Sequence, residues 1–342
     1  MTSPRRGRRD ALALMGALAA FAASACATRR LPPGLPPPEP ALGLDRMVDL
    51  VPAAGLVWLV EARPAELLRS PALGPAIALV LPDDHFEAFA RHNGVDLRQC
   101  GDLVVAGFPD ATLGLARVAI DPGRIEAAFA ERAVAVEGRA MERDVTRVWG
   151  TVRGEREQVA TFGRQGAGIE RGHLGPLRTA CYFAEGRLKR SLPALRAEPL
   201  LGAANLLGEA PLRGFAPGPF EGAWAAGLGG LLRATTGIAA AVRPARTATG
   251  DPALRLTVLL LGEWGEGEAD SRAAAERLGA AFHVLAEDPL GRLTQLSRPL
   301  EGPHVEGDRA ALRLEVVLDP TALARGVRDA TSAAVADIVA FP

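Results

Sequence analysis

Between Val134 and Gly172 the chain alternates apolar and polar residues with a period of two, and glycine interrupts the pattern every few positions. Val145-Thr146-Arg147-Val148-Trp149 and Gln158-Val159-Ala160-Thr161-Phe162 are the clearest runs, with Gly150, Gly154, Gly163, Gly166 and Gly168 around them. Successive side chains of a strand point to opposite faces, so this rhythm fits half-buried strands and no helix. Strands so short, joined by turns so tight, must return antiparallel, because a parallel connection needs about a dozen residues or more. The stretch predicts an antiparallel meander and excludes an all-helical or purely parallel fold.

On both sides of that meander, strands hand over to helices at proline. Gly55 to Ala62 reads as a buried strand, and Pro64 opens a helix after it. Asp83 or Asp84 is placed to cap a helix that carries Phe86 and Phe89 and ends at Asn93-Gly94. Strands at 103–108 and 113–120 are joined by Pro109-Asp110, and Asp121-Pro122 starts a helix over 125–132. Helices are expected at 176–185 and 193–207, and Pro211 to Pro219 reads as a loop between two halves. Beyond it, strands at 236–243 and 254–261 precede a helix over 271–285, with Ala275, Leu278, Phe282 and Leu285 on one face. A short helix follows Pro289. A hairpin turns at Gly307-Asp308, and Asp319-Pro320 opens a last helix ending near Val339.

Leu115-Ala116-Arg117-Val118-Ala119-Ile120-Asp121-Pro122 and Leu314-Glu315-Val316-Val317-Leu318-Asp319-Pro320 are alike, each a strand feeding a helix. We therefore expect an internal repeat in which the lobe 56–132 superposes on 238–337 with both Asp-Pro turns aligned. The expected class is α+β: two related lobes, each with antiparallel strands and helices packed on one face, plus the central meander. The expected domains are residues 44–215 and 216–342.

A hydrophobic fraction of 48% supports a packed body, and only 5% aromatics means a core of small and aliphatic side chains. The net charge is −1. Without Arg5, Arg6, Arg8, Arg9 and Asp10 it falls by 3 to −4, and no block of Lys and Arg follows. Nucleic acid is excluded as an expected partner.

The first 40 residues have another character. A basic head of those four arginines precedes an uncharged apolar run from Ala11 to Ala25, shorter than the ~20 residues of a spanning helix. Small residues, Ala23-Ser24-Ala25, then lead into Cys26. This order is that of an export signal. With the cysteine at the cut site it resembles the lipobox of bacterial lipoproteins, although Ala23 stands where leucine is commonest. The resemblance implies a signal peptide at 1–25, lipid attachment at Cys26, and membrane association through that lipid. Ala27, where Asp would favour the inner membrane, implies the outer membrane, facing the periplasm. Arg8-Arg9 resembles the twin-arginine export signal without its usual aromatic residue. The tether, 26–43, holds Leu31 to Pro40, a proline-rich arm favouring polyproline II and spanning roughly 30 Å at ~3.1 Å per residue.

In an oxidising compartment Cys100 and Cys181 could pair, closing a loop of about 80 residues worth up to ~4–5 kcal/mol. Both also fit as small apolar core residues.

Motifs for chemistry are sparse. No Gly-x-Ser-x-Gly, His-Glu-x-x-His, Cys-x-x-Cys or phosphate loop occurs. Asp83-Asp84-His85 fits a helix start better than a metal site. His85, His92, His173, His283 and His304 are scattered, and Glu263, Glu266, Glu268 and Asp270 match no calcium loop. No catalytic, cofactor or metal residue is assigned. The apolar segment 222–242 fits a core helix and strand, or one wall of an apolar groove. The expected function is a non-catalytic envelope lipoprotein that presents its body to a protein partner or an apolar ligand. The alternatives are a periplasmic enzyme with a site assembled from distant residues, and a lipid-binding shuttle.

Overall fold

The structure, a computed structural model, describes residues 42, 44–187, 192–222 and 224–339. The signal, Cys26 and nearly all of the tether lie outside the described residues. In chain order the elements are β1 (Trp58–Ala62), α1 (Pro64–Arg69), α2 (Gly74–Val80), α3 (Asp83–Asn93), β2 (Asp102–Phe108), β3 (Ala111–Arg117) and α4 (Pro122–Arg132). The meander follows as β4 (Ala135–Glu142), β5 (Val145–Val152), β6 (Glu155–Phe162) and β7 (Gly166–Gly172). Then come α5 (Pro176–Ala184), α6 (Leu200–Leu207), β8 (Leu212–Pro217), β9 (Thr235–Arg246) and β10 (Pro252–Gly262). The chain continues with α7 (Glu268–Glu287), α8 (Pro289–Leu293), β11 (Glu301–Gly307), β12 (Ala311–Leu318) and α9 (Pro320–Val339).

All twelve strands join one antiparallel sheet in the order β11-β12-β10-β9-β8-β1-β2-β3-β7-β6-β5-β4. The class is α+β, and the meander forms as expected. The segment 211–219, expected as a loop between halves, is instead β8, paired to β1 on one side and β9 on the other. The sheet thus runs unbroken through the 215/216 boundary.

The order is symmetric about the β1–β8 pair. Outward from it, one half reads β1-β2-β3-β7-β6 and the other β8-β9-β10-β12-β11. Each half is a three-strand meander, a helix, and a hairpin that returns to the third strand; β4 and β5 extend the first. This repeat differs from the expected one. Asp121-Pro122 follows the third strand of its half, whereas Asp319-Pro320 follows the last strand of the other. Both turns make the same local cap: Asp121 accepts from the Gly123 amide at 3.1 Å, and Asp319 from the Thr321 and Ala322 amides at 2.8 and 3.1 Å. Asp at the cap with Pro at the first helical position suits any strand-to-helix handover, so the likeness marked a turn and not a register.

Alternation sorts the side chains onto two faces. On one face Leu59, Val104, Ala106, Leu113 and Leu115 form a core with α5, α6 and the strap Leu44–Val51. The other face carries α1 to α4 and α7 to α9 over two clusters, one around Phe89, Ile125 and Phe129 and one around Leu278, Phe282 and Leu314. Helices therefore cover both faces, not one. In α7 the buried stripe is Ala274, Ala275, Leu278, Ala281, Phe282 and Ala286; Leu285, expected in it, is exposed.

Candidate functional site

The second face holds a slot. Over the middle of the sheet α1, α2, α3 and the start of α9 form a roof that leaves a cavity of about 390 Å³. Burial reports it independently: Val104 and Ala106 of β2 are 0% exposed on the packed face, whereas Leu103 and Val105 between them stay half-buried beneath the roof.

The floor is two rows of side chains fixed by strand register. Val242, Leu212, Ala62, Leu103, Ala116 and Ala167 pair in succession across six strands, from β9 to β7. Beside them run Val105, Gly114, Ile169 and Val159, from β2 to β6. With Leu254 of β10, eight adjacent strands contribute, and at ~4.8 Å per strand the slot extends roughly 30 Å. Small residues at Ala62, Gly114, Ala116 and Ala167 lower the floor where larger ones would meet the helices.

The roof explains itself locally. Pro64 opens α1 and Pro75 stands in the first turn of α2, where a missing amide costs nothing. In α3, Phe86 and Phe89 face down, and the chain leaves through Gly94 at φ 74°. Asp83 and Asp84 occupy the first turn of α3 but do not cap it; the cap position is Pro82. From the other half, α9 crosses to pack on α2 and α8 and places Pro320, Leu323, Ala324 and Val327 in the wall. Gly326 permits that crossing, since a Cβ there would lie 2.0 Å from the Leu293 carbonyl oxygen.

Among the described residues no titratable side chain lines the slot, and the single polar one is Asn93. Its Nδ2 donates to the Phe89 carbonyl at 3.2 Å, and its Oδ1 is shielded and accepts no hydrogen bond among the described residues.

The charged groups with displaced pKa values lie elsewhere. At the β1–β8 junction, on the packed face, Glu61 accepts from Arg46 at 2.8 Å and from Arg213 at 3.0 Å. Burial raises the Glu61 carboxyl, but those bonds and charges outweigh it and hold the group below its usual value. Asp102 is raised, chiefly by burial; one oxygen accepts from the Met47 amide at 2.8 Å and the other has no hydrogen-bond partner among the described residues. Glu170, also raised by burial, accepts from the Gly175 and Leu177 amides at 2.9 and 2.6 Å at the start of α5. These acids fix the strap and a helix start, away from the slot.

Of the residues singled out in the sequence, Cys26 lies outside the described residues. Cys100 and Cys181 are both buried free thiols in this structure. Cys100 sits in the Phe89–Phe129 cluster and Cys181 on α5 in the core of the opposite face, so the sheet itself separates the pair considered for a bridge. Burial raises both thiols, that of Cys181 to about 12. Among the described residues no group of three or more His, Cys, Asp or Glu could hold a metal ion, and no helix is long and apolar enough to cross a membrane. From the apolar segment 222–242, Val242 reaches the slot, although 224–226 and 228–233 are 3-10 turns in place of the expected core helix. Sequence reasoning missed Asn93, reading it only as a helix end. The available signal was its place seven residues after Phe86 and four after Phe89, on a core-facing stripe.

No family model matches the chain, and neither does any curated protein. The fold is similar to solved structures of TP0453. Crystal form III aligns with a TM-score of 0.47 at 10% identity, covering 82% of this chain and 97% of that one. Form IV aligns with a TM-score of 0.47 at 8% identity, covering 82% and 96%.

Proposed function

We propose that this chain is a non-catalytic envelope lipoprotein, anchored through Cys26, whose body holds an apolar ligand in the slot between the sheet and its helical roof. The observation that carries the reading is the slot itself: about 390 Å³, within the range of small-molecule sites, with aliphatic and aromatic walls. A wall without acid, base or nucleophile among the described residues favours storage or transfer of a ligand over catalysis. The dimensions favour one extended aliphatic chain. Taking each methylene as about the 30 Å³ a water occupies in the liquid, the volume holds roughly a dozen carbons.

The test is extraction of the protein purified from its own membranes, followed by mass spectrometry, together with titration of delipidated protein with an uncharged fluorescent aliphatic probe. Saturable uptake of one chain per protein is expected. Uptake that is linear and unsaturable, with nothing extracted, would refute the reading. Cys26→Ser should release the body from the membrane without altering uptake; if that variant stays membrane-bound, the anchor is elsewhere.

A further inference from the structure

The slot adjoins a second cavity. Ile169 of β7, half-buried in the second floor row, also lines a more open cleft of about 750 Å³ where the β2–β3 turn, the start of β6 and the end of β7 come together. Its partner in that row is Gly114, which raises no side chain between the two cavities. Strand register orders what lies beyond. Two residues along each strand from Gly114, Ile169 and Val159, the same face carries Thr112, Arg171 and Glu157, paired in succession. Two residues further, at about 7 Å per step, stand Asp110 in the turn and Glu155 at the start of β6. Glu157 is buried and fully engaged: Oε1 accepts from Arg132 at 3.0 Å and Oε2 from Arg171 at 2.8 Å. One carboxylate between two guanidiniums leaves one positive charge over. The Arg132 side chain is 7% exposed and that of Arg171 46%, so Arg171 presents the surplus to the cleft. Burial, with the charges of Arg132, Arg153 and Arg171, holds His92 below its usual value, which fits a positive neighbourhood. Arg156, also at the cleft, is engaged by Glu137 at 3.5 Å, whereas Asp110 and Glu155 have no ion-pair partner among the described residues. Outward from the slot the order is hydrocarbon, free cation, free carboxylates.

Resting on the ligand-binding reading above, we infer that slot and cleft together take a single-chain zwitterionic phospholipid, with its alkyl chain along the floor, its phosphate at Arg171 and its terminal ammonium at Asp110 and Glu155. Three features set this class. The volume of the slot admits one chain. The guanidinium of Arg171 offers several donors in one plane, which suits a phosphate, and the Thr112 hydroxyl beside it can donate as well. The two carboxylates lie beyond the arginine and not before it, so the order of charges along the head matters. A head with an anion alone meets uncompensated carboxylates past Arg171, and a head with its ammonium nearest the chain sets cation against guanidinium.

The test uses the full chain with Cys26→Ser, delipidated, and four competitors for a bound uncharged fluorescent aliphatic probe, each below its micelle concentration at pH 8. They are dodecanol, dodecyl phosphate, dodecylphosphocholine and a dodecyl sulfobetaine, whose ammonium precedes its anion. Dodecylphosphocholine is expected to compete best, about tenfold better than the sulfobetaine, as one half-exposed guanidinium–phosphate pair allows. In Arg171→Gln that lead should vanish while dodecanol binds as before. In Asp110→Asn combined with Glu155→Gln, dodecyl phosphate should draw level with dodecylphosphocholine. Equal competition by the two zwitterions in the parent protein overturns the inference while the slot reading stands. So does a lead that survives Arg171→Gln, and so does dodecyl phosphate competing best in the parent protein, which would make the head an anion alone. The comparison in the parent protein needs no variant, so poor folding of Arg171→Gln, which takes one partner from buried Glu157, cannot obscure it. If not even dodecanol displaces the probe saturably, the slot reading fails and this inference with it.

Discussion

Val105→Phe offers the sharpest test of the slot. Val105 lies in the second floor row, paired to Gly114, and keeps accessible surface only because the roof stands off the sheet. Phenylalanine adds about four carbons at that point and suits a strand. Those carbons would occupy about a third of the roughly dozen-carbon volume. A ligand forced to withdraw three or four methylenes at ~0.8 kcal/mol each loses about 3 kcal/mol, or roughly a hundredfold in affinity. The same ring in a packed core would cost about 1–3 kcal/mol of stability through overpacking. Here it fills space, so stability should hold or rise. The measurement pairs probe titration with urea unfolding of the full chain bearing Cys26→Ser. Unchanged binding in a variant of unchanged stability would refute the slot as the binding site. Destabilisation by 1–3 kcal/mol would refute the claim that there is room above Val105.

Three further outcomes follow from the same geometry. Gly326→Ala in an unobstructed helix should stabilise by about 1 kcal/mol, but a Cβ 2.0 Å from the Leu293 carbonyl oxygen must lift α9 off α8, so the thermal midpoint should fall; a rise would show that α9 does not dock as described. Asp102 has its folded-state pKa raised, chiefly by burial, so what it contributes to stability is present at low pH and lost as pH rises through the folded value. Asp102→Asn, which can still accept from Met47, should match or exceed the parent in stability at pH 7, the difference closing below about pH 4; a variant less stable at pH 7 and equal at pH 3 contradicts the sign. Cys100 and Cys181, buried with raised pKa values, should resist alkylation at pH 8 in the folded protein and give two free thiols after denaturation, and no free thiol after denaturation would establish the bridge.

Much of this architecture was legible wherever a signal is local. Proline at helix starts, Asn93-Gly94 closing α3, and period-two alternation in β4 to β7 each report the conformation of the residues that carry them. What escaped depends on register between distant strands. Pro211, Gly214, Pro217 and Gly218 read as a loop by composition, yet Leu212 to Pro217 is held extended between β1 and β9, and tertiary pairing overrides weak local preference. The floor was hidden for the same reason. Ala62, Ala116 and Ala167 are unremarkable alanines in an alanine-rich chain until pairing sets them in one row. Asn93 was seen but not understood, because a helix-ending asparagine and a cavity-lining one look alike from sequence.

The slot itself arises where the two halves stop resembling each other. After its last strand the first half sends α5 to the face built on Val104, Ala106, Leu113 and Leu115, where an apolar helix stripe is buried. The matching surface of the second half carries a polar patch beside buried Leu259 and Ala311: Thr257 and Arg313 both bond to Glu315, and Arg243 and Arg255 stand beside them. A helix carrying Leu323, Ala324 and Val327 gains nothing by covering charges that water already satisfies. That stripe is buried on the other face, where α9 packs on α2. There it meets α2 of the first half above the floor of small residues. The helices that follow the last strand of each half, α5 and α9, thus lie on opposite faces of the sheet, and the cavity lies where α9 meets the helices of the first half.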